Sequence, residues 1–286
     1  MNVEVKVGGR LLELDDRYLK TKFKELISKL KEKESVLVAL SGGVDSSVVA
    51  KAAKISLGDK AVAVTADSAT LPQGELEEAG KIAREIGIKH IVTKVDELRN
   101  LDFTRNTKER CYYCKKELIA ELKKLALREG LKNIVDGTNA DDLKTYRPGI
   151  KALKEEGVHS PLAEVGLTKN EVKMLAKAMN LPTANKPPMA CLASRIPYGS
   201  EITDKKLRRI DQAEAAVISI VKVKQLRIRD HGNIARIEVG SDERKMFFDE
   251  KIMDRIAEKL RSIGFTYVAF DLEGYRQGSM DEDVSK

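Results

Sequence analysis

Val36-Leu37-Val38-Ala39-Leu40-Ser41-Gly42-Gly43-Val44-Asp45-Ser46-Ser47 is the stretch on which the reading of this chain turns. An apolar, β-prone run ends in Ser-Gly-Gly. An acid follows, then two hydroxyl residues and a helix-compatible segment, Val48 to Lys54. A strand that feeds a glycine-rich turn and a helix start makes an anion site. The glycines let the backbone approach a ligand, and the exposed N–H groups and the helix dipole face it. The common mononucleotide pattern GxxxxGKS/T needs a lysine to reach the terminal phosphates. No lysine stands in this loop. Asp45 is instead a candidate to hold a magnesium ion, and Ser46 and Ser47 are candidates to bond phosphate oxygens.

Composition narrows the class. At 286 residues the chain has room for one large domain or two smaller ones, taking about 100–200 residues per domain. A hydrophobic share of 42% suffices for a proper core. Fifty-two basic residues against 45 acidic ones leave a net charge of +7. The excess is spread along the chain, which fits a polyanionic small substrate or an RNA surface without choosing between them. No run of about 18 apolar residues occurs, so no membrane span is expected. Met1-Asn2-Val3-Glu4-Val5-Lys6 has no apolar signal region. A cytoplasmic protein is expected. Three cysteines are too few, and odd in number, for a secreted disulfide framework. In a reducing compartment they read as ligands or nucleophiles.

Outward from the opening stretch, strands alternate with helices. Val3 to Val7 reads as a short strand. Leu14 to Lys33 has helical spacing, with Tyr18, Phe23, Leu26, Ile27 and Leu30 on one side. Val36 to Leu40 is a buried strand and Val48 to Ser56 its helix. Ala61 to Thr65 is a second strand, ending in Ala66-Asp67-Ser68. Gly74 to Ile86 is a helix, His90 to Val95 a strand, Lys115 to Glu129 a long helix, and Asn133 to Asp136 another buried strand. Lys169 to Met179 is helical. This alternation predicts an α/β fold with a doubly wound, mostly parallel sheet. Ligands of such sheets bind at the carboxyl ends of the strands, so Ser41, Ala66 and Gly137 would line one crevice. From Thr203 the order becomes helix Asp204 to Ile220, strand Gln225 to Arg229, turn Asp230 to Asn233, strand Ile234 to Val239, helix Asp242 to Ser262 and strand Thr266 to Leu272. That is a smaller α+β domain. The expected division is 1–200 and 201–286, with the boundary near Pro197-Tyr198-Gly199 and a polar end, Ser279 to Lys286, that frays.

Two further constellations carry chemistry. Asp136-Gly137-Thr138-Asn139-Ala140-Asp141-Asp142 is followed by Tyr146-Arg147-Pro148-Gly149. A glycine after a strand lets adenine approach the backbone. Asp142 could share magnesium with Asp45, and Arg147 could neutralise charge as pyrophosphate leaves. Arg110-Cys111-Tyr112-Tyr113-Cys114-Lys115-Lys116 puts two thiols on one face at a helix start, where thiol acidity rises. Cys191 lies in Lys186-Pro187-Pro188-Met189-Ala190-Cys191-Leu192-Ala193-Ser194-Arg195-Ile196-Pro197. A zinc site wants four protein ligands, so a histidine would have to join, and His90, His159 and His231 lie in unrelated places. A Cys111–Cys114 disulfide lacks a thioredoxin-like context. A 4Fe-4S cluster on three thiolates leaves one iron open. Buried, unreactive thiols are the bland alternative.

SGGVDSS resembles the PP-loop of the ATP pyrophosphatases, which split ATP between its α- and β-phosphates and adenylate a substrate. Together with RCYYCKKEL, GTNADD…YRPG and PPMACLASRIPYG, it resembles the LarE family of ATP-dependent sulfur insertases over nearly the whole chain. The resemblance implies that ATP adenylates a carboxylate of a pyridinium-dicarboxylate mononucleotide and that sulfur then replaces AMP, giving a thiocarboxylate used in nickel-pincer nucleotide synthesis. It implies ATP binding at Ala39, Ser41, Gly42, Gly43, Val44, Asp45, Ser46, Ser47, Ala66, Ser68, Gly137, Asn139 and Asp142, with Mg2+ on Asp45 and Asp142. It implies catalytic roles for Cys191, Asp45 and Arg147, and substrate binding by Ser194, Arg195, Arg227 and Arg229. Arg227 and Arg229 alternate on one strand and share a face. Glu238, on the neighbouring strand, is a candidate to touch a metal or to orient an arginine. Some members give up the sulfur of the cysteine matching Cys191. Cys111 and Cys114 depart from that single-cysteine pattern and favour the version in which Cys111, Cys114 and Cys191 hold a 4Fe-4S cluster. The implied partners are a small nucleotide substrate, sulfide or another sulfur donor, and further copies of the chain, in hexamers.

Other functions compete. A tRNA thiolase would use the same adenylation chemistry, but no separate RNA-binding module is visible and the positive charge is unpatterned, so no nucleic-acid partner is expected. Amide-forming PP-loop enzymes would not need three cysteines. A non-catalytic nucleotide-binding sensor would release neither AMP nor pyrophosphate, and the paired acids with Arg147 argue against it.

Overall fold

The computed structural model describes residues 6–7, 10–11, 17–144, 147–187, 190–276 and 278–280. In chain order the elements are β1 (Lys6–Val7), β2 (Arg10–Leu11), α1 (Arg17–Glu32), β3 (Val36–Ala39), α2 (Val44–Leu57), β4 (Ala61–Asp67), α3 (Glu75–Ile86), β5 (Lys89–Lys94), α4 (Leu101–Thr104), α5 (Arg110–Arg128) and β6 (Asn133–Val135). Then come α6 (Pro148–Glu155), α7 (Pro161–Glu164), α8 (Lys169–Ala178), α9 (Asp204–Val221), β7 (Leu226–His231), β8 (Ile234–Val239), α10 (Glu250–Ser262) and β9 (Tyr267–Phe270). The chain divides into two units. One comprises Met1–Ser68, Gly74–Asp96 and Cys111–Pro188, the other Ala69–Gln73, Glu97–Arg110 and Met189–Lys286.

The first unit is built on a parallel sheet ordered β5-β4-β3-β6. Strand side chains alternate between faces, and β3 feeds both of the unit's cores. Val36 and Val38 join Leu19, Phe23, Val48, Ile82 and Leu175 on one face. Leu37 joins Val62, Ile119, Leu122 and Ile134 on the other. This is the doubly wound, three-layer α/β arrangement the alternation of elements predicts. The chain runs outward from β3 to β4 and β5, then returns to place β6 on the opposite side of β3. The switch point therefore lies between the carboxyl ends of β3 and β6. The second unit has a mixed sheet, with β7 antiparallel and β9 parallel to β8. Its core packs Ala213, Val217 and Leu260 of α9 and α10 against Ile228, Ile237 and Val239.

Several boundaries differ from the expected ones. Helix α2 starts at Val44 rather than Val48, because the β-region backbone of Gly43 (φ −87°, ψ 166°) already forms its N-cap. Helix α5 starts at Arg110, five residues before Lys115, so both of its cysteines sit inside the helix. Helix α10 starts at Glu250 rather than Asp242, because Asp249 caps it through Ile252 N at 3.1 Å. Tyr18 is exposed; Leu19, Phe23, Leu26 and Leu30 make the buried stripe of α1. The β7–β8 turn narrows to Gly232-Asn233, with Gly232 at φ +78°. Residues 3–5 of the first expected strand and most of the expected frayed end lie outside the described residues.

Candidate active site

The glycine-rich loop is braced from within. Gly42 sits at φ +73°, a conformation that favours glycine. Ser46 Oγ accepts a hydrogen bond from Ser41 N (3.2 Å), lies 3.0 Å from Ser41 Oγ and donates to Gly43 O (3.2 Å). Ser47 Oγ donates to Gly43 O at 2.7 Å, and both hydroxyl residues are buried. The two serines, expected to bond phosphate directly, here use their hydroxyls to hold the loop in shape. Gly43 caps the start of α2 without a side chain, so no side chain takes up the first backbone N–H groups of that helix there. Below the loop, Ala39 ends β3. Leu40 N donates to Val64 O (2.8 Å), and Thr65 Oγ1 donates to Leu40 O (2.7 Å). Ala66 lies at the end of the neighbouring β4, and Ser68 follows it, half-buried.

The loop after β6 comes up against this one. A Cβ on Gly137 would lie 2.7 Å from Ser46 N and 3.0 Å from Ser46 Cα, so backbone meets backbone at a distance that excludes any side chain. Asn139, 2% exposed, then ties the two loops together. Its Nδ2 donates to Asp45 Oδ1 (3.2 Å), its N donates to Asp142 Oδ2 (3.1 Å), and its Oδ1 accepts from Asp141 N and Asp142 N. Each outer carboxylate has a cation. Arg147 pairs with Asp142 at 2.8 Å, and Lys169 pairs with Asp45. Lys169 opens α8 behind the Thr168–Glu171 capping box, and its N donates to Asp141 Oδ2 (2.9 Å). The expected residues Asp45, Gly137, Asn139, Asp142 and Arg147 are thus brought together at the switch point. Two carboxylates bridged by one amide suit Mg2+, which takes one or two carboxylates and completes its shell with phosphates and water.

Three charged residues here are not legible from the sequence. Lys169 stands 124 positions from Asp45. Lys186 and Glu75 pair at 2.7 Å, and a Cβ on Gly42 would lie within 3.6 Å of both. The available signals are slight: a lysine just after an N-cap threonine, and a lysine before two prolines. Tyr146 of the expected constellation lies outside the described residues, as do Pro188 and Met189.

Cys111 is exposed and Cys114 half-exposed in the first turns of α5. Gly149, near the start of α6, packs so closely that a Cβ there would meet Lys115 Cγ at 3.2 Å and Cys111 O at 3.5 Å. Arg147, the N-cap of α6, is therefore two residues from a contact with the cysteine turn. All of these lie in the first unit. Cys191 lies in the second unit, exposed at the start of a one-turn 3-10 helix, Leu192–Arg195. Among the described residues no three cysteine, histidine or carboxylate side chains gather as a metal site.

The arginines behind Cys191 are engaged. Arg195, expected at the substrate phosphate, is fully buried and donates Nε and an Nη to Glu214 at 2.9 and 3.0 Å. Its other Nη reaches Ala190 O (2.5 Å), Cys191 O (2.9 Å) and Ser194 Oγ (3.0 Å). That makes it a strut for the cysteine turn rather than a phosphate donor. Ser194 Oγ donates to Cys191 O (2.8 Å), and Ser194 O accepts from Arg229 (3.0 Å). Glu238 has no exposure. It takes Arg229 on one oxygen (2.6 Å) and Arg236 on the other (3.1 Å). Arg227 shares the β7 face with Arg229 and lies over the Tyr275 ring (5.3 Å). Burial first, then the Arg195 charge, pull its guanidinium below the usual arginine range.

The parallel sheet, the bare glycine loop at its switch point and the paired acids define an ATP-using enzyme of the PP-loop class. The family model described as NAD synthase matches residues 17–127. Pyridinium-3,5-bisthiocarboxylic acid mononucleotide synthase of Lactiplantibacillus plantarum is 35% identical over 94% of this chain and 96% of its own length. An uncharacterized protein of Synechocystis sp. is 42% identical over 94% of this chain and all of its own. One component of a glutamine-hydrolyzing GMP synthase from Methanococcus maripaludis is 32% identical over 71% of this chain and 69% of its own length. The chain belongs to the LarE family of sulfur-inserting synthases.

Proposed function

We propose that this chain uses ATP to adenylate a carboxylate of a pyridinium-dicarboxylate mononucleotide and then replaces AMP with sulfur, yielding a thiocarboxylate, AMP and pyrophosphate. The observation that carries the reading is the Asp45–Asn139–Asp142 bridge at the switch point, with Lys169 and Arg147 attached to its two acids. In this reading ATP lies along Ala39, Ser41–Ser47, Ala66, Ser68, Gly137 and Asn139. A substrate carboxylate oxygen bonds the α-phosphorus and the bond to pyrophosphate breaks. Lys169 and Arg147 move from their acids to the phosphates, taking up the charge that develops. Asp45 and Asp142 would hold Mg2+, which supplies charge neutralisation at the phosphates.

The acyl adenylate is the electrophile for sulfur. A C–S bond forms at the acyl carbon and the C–O bond to AMP breaks. If the sulfur is that of Cys191, its Cβ–S bond then breaks with loss of the α-proton, leaving dehydroalanine. If it is supplied sulfide, Cys111, Cys114 and Cys191 would be the thiolates that hold a 4Fe-4S cluster, and that cluster would supply the sulfur. Both routes suit three cysteines that stand outside any disulfide. Ser194, Arg227 and Arg229 are assigned to the substrate side. The reading further gives adenylation to 1–200 and substrate and intersubunit contacts to 201–286, in a cytoplasmic homo-hexamer without a nucleic-acid partner.

The test is anaerobic turnover with ATP, Mg2+ and the dicarboxylated mononucleotide, with AMP, pyrophosphate and thiocarboxylate measured together. Equal yields are expected. No pyrophosphate overturns the adenylation, and normal thiocarboxylate formation by Cys191→Ala overturns the role of that cysteine. After reconstitution with iron and sulfide, about four irons per chain, lost in each Cys→Ala variant, are expected for the cluster. No iron, with dehydroalanine at 191 after turnover, would leave the sacrificial route.

A further inference from the structure

We infer that Asn106 and Arg110 are positioning residues for sulfur transfer. They clamp the turn that follows Cys191 to the residue that precedes Cys111. This rests on the function proposed above. Asn106 is fully buried and sits at φ +56°, a backbone conformation asparagine tolerates better than most residues. Its Nδ2 donates to Pro197 O and Ser200 O, both at 2.8 Å, and its own carbonyl accepts from Gly199 N at 3.0 Å. Its Oδ1 accepts from Arg110 at 2.6 Å, and the same Arg110 nitrogen lies 3.4 Å from Ile196 O. The Arg110 guanidinium stacks over Tyr198 at 4.3 Å, and Thr104 O accepts from Ile202 N at 2.8 Å. Segments 104–110 and 196–202 are thus joined along their length.

Packing alone does not account for the pair. Arg110 is 5% exposed, has no carboxylate in ion-pair range among the described residues, and keeps a buried Nε without a partner. An apolar side chain would fill the same volume without that desolvation cost. What the guanidinium adds is direction: a planar fork that holds Asn106 and the Ile196 carbonyl while it stacks on Tyr198. Cys111 is the next residue along α5, and Cys191 is five residues before Ile196. Both clamp residues belong to the second unit, whereas Asp45, Asn139 and Asp142 belong to the first. The clamp therefore serves the sulfur half of the reaction and not the adenylating half.

The variants are Asn106→Ala, Arg110→Gln and Arg110→Lys, with Arg209→Gln as a control that breaks a partly buried ion pair of the same unit, Arg209–Asp230. Two readouts are taken on the full chain: thiocarboxylate formed per pyrophosphate released, and the iodoacetamide alkylation rates of Cys111 and Cys191. For Asn106→Ala and Arg110→Gln the ratio is expected to fall about 10- to 100-fold, the scale of a misplacement of order 1 Å. Pyrophosphate release is expected to stay near wild type, and both alkylation rates to change. Arg110→Lys, which keeps a donor to Asn106, is expected to recover part of each. Arg209→Gln is expected to leave the ratio and both rates unchanged. A ratio that stays constant, or that falls equally in Arg209→Gln, overturns the clamp. Should wild type yield no thiocarboxylate at all, the proposed function falls instead. The alkylation rates then decide the clamp alone: unchanged rates in Asn106→Ala overturn it.

Discussion

Asp45 is the residue on which the adenylating site depends, because one carboxylate meets the glycine loop, the Asn139 bridge and Lys169 at once. Asp45→Asn keeps the shape and removes the charge. Pyrophosphate release is expected to fall about 10²- to 10³-fold, the usual size for a lost charge-stabilising group. Stability should shift by no more than about 1 kcal/mol, since the pair it loses is partly solvated; pyrophosphate assay and urea unfolding check the two halves. Gly137 is the second single-residue determinant. Its absent Cβ is what lets the β6 loop touch Ser46. Gly137→Ala forces backbone apart and is expected to cost about 1–3 kcal/mol and to abolish ATP binding by calorimetry. The cysteines, by contrast, are legible in the sequence as types and spacings, while the burial of Arg195 behind one of them is not.

Among the elements, the β3–β4 pair fastens the base of the loop, and β5 supports it from the edge. His90 Nε2 lies 2.8 Å from Thr65 Oγ1, which in turn donates to Leu40 O. Burial, then the Arg84 charge, lower the His90 pKa below its ordinary 6.5. The folded state therefore binds this proton less readily than the unfolded chain. Stability from His90 is complete above pH 6.5 and declines as pH falls through that value. Urea unfolding between pH 8 and 5 is expected to show this decline, and His90→Gln to flatten it. In the second unit the 3-10 turn after Cys191 stands on a buried pair. Glu214→Gln leaves Arg195 uncompensated and is expected to cost about 3–5 kcal/mol, measured by urea unfolding. The element types are largely readable from periodicity. The starts of α2 and α10 are not, because they are set by caps, the Gly43 backbone and the Asp249 side chain, whose geometry forms only in the fold.

At the scale of the whole molecule, the second unit collects two early segments, Ala69–Gln73 and Glu97–Arg110, with the C-terminal part of the chain. The polyanionic ligand expected at +7 net charge also gives a whole-molecule prediction. ATP with Mg2+ at 100 times its Kd should stabilise the fold by about 2.7 kcal/mol. For a chain of this size that raises Tm by about 4–5 °C in a scanning calorimeter, and Asp45→Asn should abolish the rise. What the sequence by itself determined is what depends on near neighbours: strand, glycine turn and helix start, the period-2 and helical patterns that sort faces, and the Cys111–Cys114 spacing. Backbone preference and side-chain direction act over a few residues, so they can be read a few residues at a time. Tertiary structure alone decided that Lys169 meets Asp45, that Lys186 meets Glu75, that Arg195 is a strut, and that Asn106 clamps the 196–200 turn. Those pairings join residues that the topology returns to one place after long excursions. Which charge is buried there, and against which partner, follows from the desolvation that packing imposes, and no local pattern carries that information.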